Sequence, residues 1–168
     1  MLRRILPAVP ALALFAVGCG GGSSAAGCDT AFQEQLDPAS ELHVLGDAEV
    51  DYLTDPPTSG PHGTAAIPEG ALPTPISRST QVAILEAGRA LVQYTDAVPA
   101  QDVAVLAALA DELVVVAPNP DLPEPVVVTA WTWKMTCADG GDESATAIAD
   151  FADARIQTAP GSDVSPPS

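Results

Sequence analysis

Proline fixes where this chain cannot be regular. Its ring locks φ and removes a backbone donor, so it interrupts both helix and sheet interiors. Of the 17 prolines in 168 residues, six fall between Pro56 and Pro75 and four between Pro118 and Pro125. The first stretch, Asp55 to Pro75, also holds Gly60, Gly63 and Gly70. It must be extended or built from turns, and a segment that long inside a compact domain is either functional or tightly tied down. The second, Pro118 to Pro125, is a loop.

Regular structure belongs in the intervals. Asp29 to Asp37 fits a short helix, capped by Asp29 or Thr30, with Phe32 and Leu36 on one face. A weak strand is expected around Val50 and Tyr52. Val82 to Tyr94 is apolar and reads as a strand bent at Gly88. Pro99 to Leu113 reads as a helix with Val103, Leu106, Ala110 and Leu113 at three- and four-residue spacing, its proline in the first turn. Leu113 to Ala117 and Val126 to Trp133 are β-branched runs, expected to be neighbouring antiparallel strands. Asp142 to Ile156 is a second helix, with Ile148, Phe151, Ala152 and Arg155 on one side. Strand, helix, strand, strand, helix defines an α+β single domain: a small, mostly antiparallel sheet, two main helices on one face, and a proline-rich N-terminal segment.

The first eighteen residues have another purpose. Arg3 and Arg4 precede an apolar run, Ile5 to Val17, that is too short to span a bilayer as a stable helix. It ends in Ala16-Val17-Gly18-Cys19, and a cysteine directly after small residues is the mark of a lipoprotein signal. The competing reading is an ordinary cleaved signal with an incidental Cys19. Residues 20–27, Gly-Gly-Gly-Ser-Ser-Ala-Ala-Gly, form a flexible tether. The chain therefore divides into a signal peptide (1–18), a lipidated Cys19 with its tether (19–27), a globular domain (28–159) and a disordered Pro/Ser-rich tail (160–168). This organisation predicts a secreted protein, lipid-anchored on the extracytoplasmic side of a membrane in the cell envelope.

Charge narrows the partners. With 22 acidic against 6 strongly basic residues the formal net charge is −16, and loss of Arg3 and Arg4 makes it more negative still. That balance argues against nucleic acid and against electrostatic docking on anionic lipid heads. Contact with a membrane is left to the lipid anchor, and a protein or a small molecule remains open as the partner. With Cys19 spoken for, Cys28 and Cys137 are an even pair in an oxidising compartment, expected to be bridged. Two free thiols, or Cys137 as a metal ligand, are the alternatives.

The sharpest motif is Pro56-Pro57-Thr58-Ser59-Gly60-Pro61-His62. With Leu85-Glu86-x-Gly88 and Thr129-Ala130-Trp131 in the same order, it resembles an uncharacterised bacterial envelope family, domain of unknown function 3105, over roughly His43 to Phe151. That family has a PPTSGPH segment, then an H-N-L-E-H-G strand, then a T-A-W strand. The resemblance implies a site in which the histidine of the first motif meets two histidines and a glutamate of the second, a set suited to zinc or copper. His62 and Glu86 are kept here. Ala83 and Ala87 stand where the other imidazoles would be, and Gly63 to Arg78 lacks the aromatic residues of typical members. The chain reads as a divergent member that retained the scaffold.

His62, Glu86 and Ser59 are the candidate site residues, with His62, Glu86 and His43 as candidate metal ligands. His62 is expected to be half exposed, satisfying local carbonyls. Glu86, in an apolar stretch, needs a cationic partner if it faces inward, and Arg89, Arg78, Lys134 and His62 are available. His43 has no spacing rule to bring it near His62 and reads as an exposed strand residue. Met135 and Cys137 share a strand face that would suit copper(I), though the disulfide is the stronger reading. Trp131 and Trp133 are expected to share one face. Ser59 near His62 lacks a nucleophile turn and an orienting carboxylate, so with Thr58 it is expected to complete turns. No catalytic residue is assigned. The favoured reading is a non-enzymatic binding or interaction domain without cofactor. A weak copper or zinc protein, and an enzyme using Glu86 and His62 as acid and base, are the alternatives.

Overall fold

The computed structural model describes residues 27–45 and 50–161. Signal peptide, Cys19, most of the tether and the tail from residue 162 lie outside them. Strands β1 (Phe32–Gln33), β2 (His43–Val44), β3 (His62–Gly63), β4 (Ala90–Tyr94), β5 (Val114–Pro118), β6 (Val126–Ala130) and β7 (Trp133–Cys137) accompany helices α1 (Arg78–Glu86), α2 (Ala100–Ala107) and α3 (Asp142–Arg155). The main sheet runs β1-β7-β6-β4-β5; β2 and β3 form a separate pair. The class is α+β, with every pairing in the main sheet antiparallel except β4 with β5.

The central strands are continuous apolar runs because both of their faces are covered. On one face Val92, Val116, Val126 and Val128 pack with Leu106 of α2 and with Ile148 and Phe151 of α3. These are the two helices expected together. On the other, Leu91, Val115 and Ala117 meet Val82, Ile84 and Leu85 of α1, with Ile67, Leu72 and Ile76 from the proline-rich segment. That segment also closes the β5 edge: Leu72 N–H donates to Val116 O (2.8 Å) and Val116 N–H to Gly70 O (3.1 Å).

Several expectations need correcting. Val82 to Tyr94 is not one bent strand but the end of α1, a turn, and β4. Val82 to Leu85 are all buried, and a short apolar run in a helix with little exposed face carries no period to distinguish it from a strand. The cap residue Ser77 accepts from Thr80 N–H at 3.2 Å. At the other end Gly88 takes φ +79°, while Gly88 N–H donates to Leu85 O and Arg89 N–H to Ile84 O, the paired bonds of a Schellman stop. The β5 and β6 strands are not neighbours, because β4 lies between them, parallel to β5 and antiparallel to β6. The antiparallel partner of β6 is β7. Trp131 and Trp133 do not share a face: the chain turns between them at Thr132 (φ +62°), sending Trp131 to the α1 side and Trp133 to the α2/α3 side.

The helix expected over Asp29 to Asp37 is replaced by β1. Its backbone donors go sideways to the neighbouring chain, Asp29 N–H to Thr136 O (2.9 Å) and Glu34 N–H to Thr132 O (2.8 Å). A nine-residue helix is marginal by itself, so sheet pairing prevails. No strand forms at Val50 or Tyr52; the extended pair is β2 with β3. Helix α2 stops six residues short of Leu113, because Asp111 Oδ1 collects the N–H groups of Leu113 and Val114 at 2.7 Å and starts β5.

Cys28 and Cys137 form the expected disulfide, across 109 residues of sequence. It joins the start of the described domain, ahead of β1, to the end of β7. Closing a loop of that length contributes about 4–5 kcal/mol in the chain-entropy account.

Candidate functional site

Seven consecutive residues, Pro56 to His62, are buried although they belong to no helix and only His62 to a strand. A loop can be buried only if its polar groups find partners inside, and these do. Thr58 O accepts Thr132 N–H at 2.9 Å. The Thr58 hydroxyl donates to Glu34 Oε2 (2.7 Å), Ser59 Oγ accepts Asp37 N–H (3.0 Å), and Pro61 O accepts the Tyr52 hydroxyl (2.8 Å). His62 N–H donates to Leu42 O at 3.1 Å. Gly60 takes φ +128°, and a Cβ there would lie 2.9 Å from Tyr52 Cδ1. The partners rise in step, Glu34 with Thr58, Asp37 with Ser59 and Leu42 with His62, so the outer segment 34–42 runs alongside the inner segment 58–62. Ser59 Oγ thus serves the packing of a turn.

An ion pair fastens the same layer. Lys134, on β7, reaches Glu34 Oε1 at 2.7 Å, with side-chain exposures of 7% and 12%. Its ammonium also donates to Asp55 O at 3.2 Å, beside the cis Asp55–Pro56 peptide. One carboxylate, Glu34, therefore holds the motif through Thr58 and the sheet through Lys134. The sequence reading missed Glu34; the buried lysine in an apolar strand was the available signal, since a charge there demands a partner.

His62 is not half exposed but 4% exposed. Its Nδ1 faces Gly60 O at 3.2 Å, and its Nε2 lies 3.9 Å from Glu86 Oε2. Glu86 is the last residue of α1 and only partly buried. Among its four candidate partners it meets His62, because Arg78 is paired with Asp55, Arg89 with Glu69 and Lys134 with Glu34. His43 is exposed on β2, yet the parallel register places it opposite His62, ring centroids 4.8 Å apart and edge to face. Strand pairing supplied what spacing could not reveal. Even so, no group of three or more His, Cys, Asp or Glu side chains among the described residues is placed to hold a metal ion. His62 is the middle of a row, His43–His62–Glu86, rather than one ligand of a cage.

Because residues 78–86 are helical, Ala83 and Ala87 lie four apart at the end of α1, and Ala83 lines a small hollow with Gly63, Ala65 and Ile67. A cleft of about 260 Å³ borders β3, with Gly63, Thr64, Ser77, Ser79 and Thr80 among its walls and neither His62 nor Glu86 lining it. Met135 and Cys137 do share a buried face of β7, where the cysteine sulfur is consumed by the disulfide.

Two further groups titrate away from their ordinary values. Burial pushes the Tyr52 phenol up, against the pull of Arg78 and with a push from Asp37. Hydrogen bonds from the Ser144 hydroxyl and Gly141 N–H hold the Asp139 carboxyl down, where it serves the first turn of α3. On β4, Gln93 is fully buried, and both its amide atoms lack a hydrogen-bond partner among the described residues.

Fold and site together define a disulfide-fastened α+β domain whose most distinctive motif is an internal tie. The chain belongs to the family described as "Protein of unknown function (DUF3105)", whose model matches residues 43–166. No curated protein and no solved structure matches it. Among the described residues, no helix is long and apolar enough to cross a membrane.

Proposed function

We propose that this is a lipid-anchored extracytoplasmic protein whose folded domain binds or interacts without catalysing a reaction. The anchor reading is supported by Arg3-Arg4, the apolar run and Ala16-Val17-Gly18-Cys19, and by a disulfide suited to an oxidising compartment. It predicts that protein from the membrane fraction has lost residues 1–18 and carries acyl chains on Cys19, and that Cys19→Ser releases it.

The observation carrying the non-catalytic reading is the enclosure of His62. An acid–base or ligand imidazole must reach something from outside, whereas this one is 4% exposed, with Nδ1 directed at the buried Gly60 O and Nε2 at the partly exposed Glu86 carboxylate. The chain has only two histidines, which makes the test clean. Diethyl pyrocarbonate should acylate exposed His43 quickly and His62 only on unfolding, as located by peptide mass spectrometry. His62 reacting as fast as His43 in the folded protein would remove the reading.

A further inference from the structure

The large hydrophobic side chains exposed among the described residues are Phe32, Leu36, Leu42, Leu45 and Leu53, with exposures from 46% to 84%. All five fall within 22 residues at the start of the domain. They also share a place in the fold. Segment 34–42 lies outside the fully buried segment 58–62, tied to it by the Glu34–Thr58, Asp37–Ser59 and Leu42–His62 bonds. Phe32 pairs with Lys134 on β7, and the Lys134 ammonium reaches Asp55 O, two residues past Leu53. The layer beneath is closed, so these side chains have no core left to enter.

From Phe32 to Leu45 the strip is poor in free charge on a chain of net charge −16, while Asp47, Glu49 and the exposed Asp51 precede Leu53. Between residues 32 and 45 there is no Lys or Arg; Glu34 is consumed by Lys134, and Asp37 is buried with its carboxylate on Ala39 N–H. Glu41 is the one exposed carboxylate there. Exposed apolar area of this kind marks a contact surface.

We infer that the strip of Phe32, Leu36, Leu42, Leu45 and Leu53 rests on the bilayer that holds the Cys19 anchor. The inference depends on the lipid-anchored reading. Residues 20–27 lie between Cys19 and the disulfide-fixed Cys28, a reach of at most about 32 Å when fully extended over nine Cα steps. Phe32 follows Cys28 by four residues. The strip therefore begins where the tether enters the domain, and a short tether keeps its local concentration at the membrane high. The rest of the acidic surface has no comparable reason to face lipid.

The test uses the full mature, lipidated chain in phosphatidylcholine vesicles. Leu45→Cys provides the single free thiol for a nitroxide label, since Cys19 is acylated and Cys28 and Cys137 are bridged. Asp153→Cys on α3, across the sheet, is the control. Vesicle flotation reports anchoring, and power saturation with oxygen and an aqueous nickel complex reports depth. Docking predicts protein that floats, with the label at 45 shielded several-fold from nickel relative to the label at 153. Leu42→Asp with Leu53→Asp should return the label at 45 to water while flotation persists. A floating protein with both labels equally aqueous overturns the docking and leaves the anchor standing. Dipolar broadening at 45 that disappears on dilution with unlabelled protein assigns the strip to a second copy and also overturns it. Protein that stays soluble with an unmodified Cys19 overturns the anchor reading and the docking with it.

Discussion

Among single residues, the buried Lys134 has the sharpest consequence. Its pair with Glu34 is nearly dry, so Lys134→Met strands a carboxylate beside Thr58 and should lose about 3–5 kcal/mol in urea denaturation. Converting Glu34 to Gln as well should recover much of that loss, because the uncompensated charge goes. Tyr52 sets an alkaline limit. Its folded-state pKa is raised above the ordinary value, so the unfolded chain releases the phenolic proton first and stability falls as pH climbs above about 10. Tyr52→Phe should flatten that slope, at the expense of the bond to Pro61 O, when melting is followed across the alkaline range. Gln93 has no such partner; Gln93→Met keeps the volume and should stabilise the protein by about 1 kcal/mol or more, because an unpaired buried amide is itself unfavourable by roughly 1–3 kcal/mol.

At the scale of elements, Gly60→Ala should destabilise through both a positive φ and the Tyr52 ring beside it, by about 1–2 kcal/mol from the backbone alone; a thermal melt checks it. The same scale separates what was legible in the sequence from what was not. The β-branched runs at 114–118 and 126–130 and the periodic helix at 142–155 were readable, because burial on both faces and a 3.6-residue repeat leave direct traces. The first helix was not, since Val82 to Leu85 are buried together and carry no period. Neither was β1, whose sequence suits a short helix and whose partners lie 100 residues away on β7. Insertion of β4 between β5 and β6 is likewise a long-range decision that no local signal records. Proline density located the tied-down segment correctly, but not the direction in which its side chains point.

Over the whole molecule, the disulfide, the Glu34–Lys134 pair and the buried motif all join residues 28–42 to β7 and the α1 face. Residues 28–42 are thus part of the domain rather than a preface to it. His62 and Glu86 were legible as a pair, and the structure brings them to 3.9 Å. His43 joined them through strand register, information absent from spacing. Methyl groups stand at Ala83 and Ala87, and the row of three does not close around a point. The motif ties the fold together, and the proposed non-catalytic reading holds that it binds no metal ion. Calorimetric titration of the folded protein with zinc and copper, for the native sequence and for His62→Ala, tests that most directly. The prediction is less than half an equivalent bound in either protein, with His62→Ala altered only in its melting temperature. A full equivalent bound by the native protein and lost in His62→Ala would contradict it.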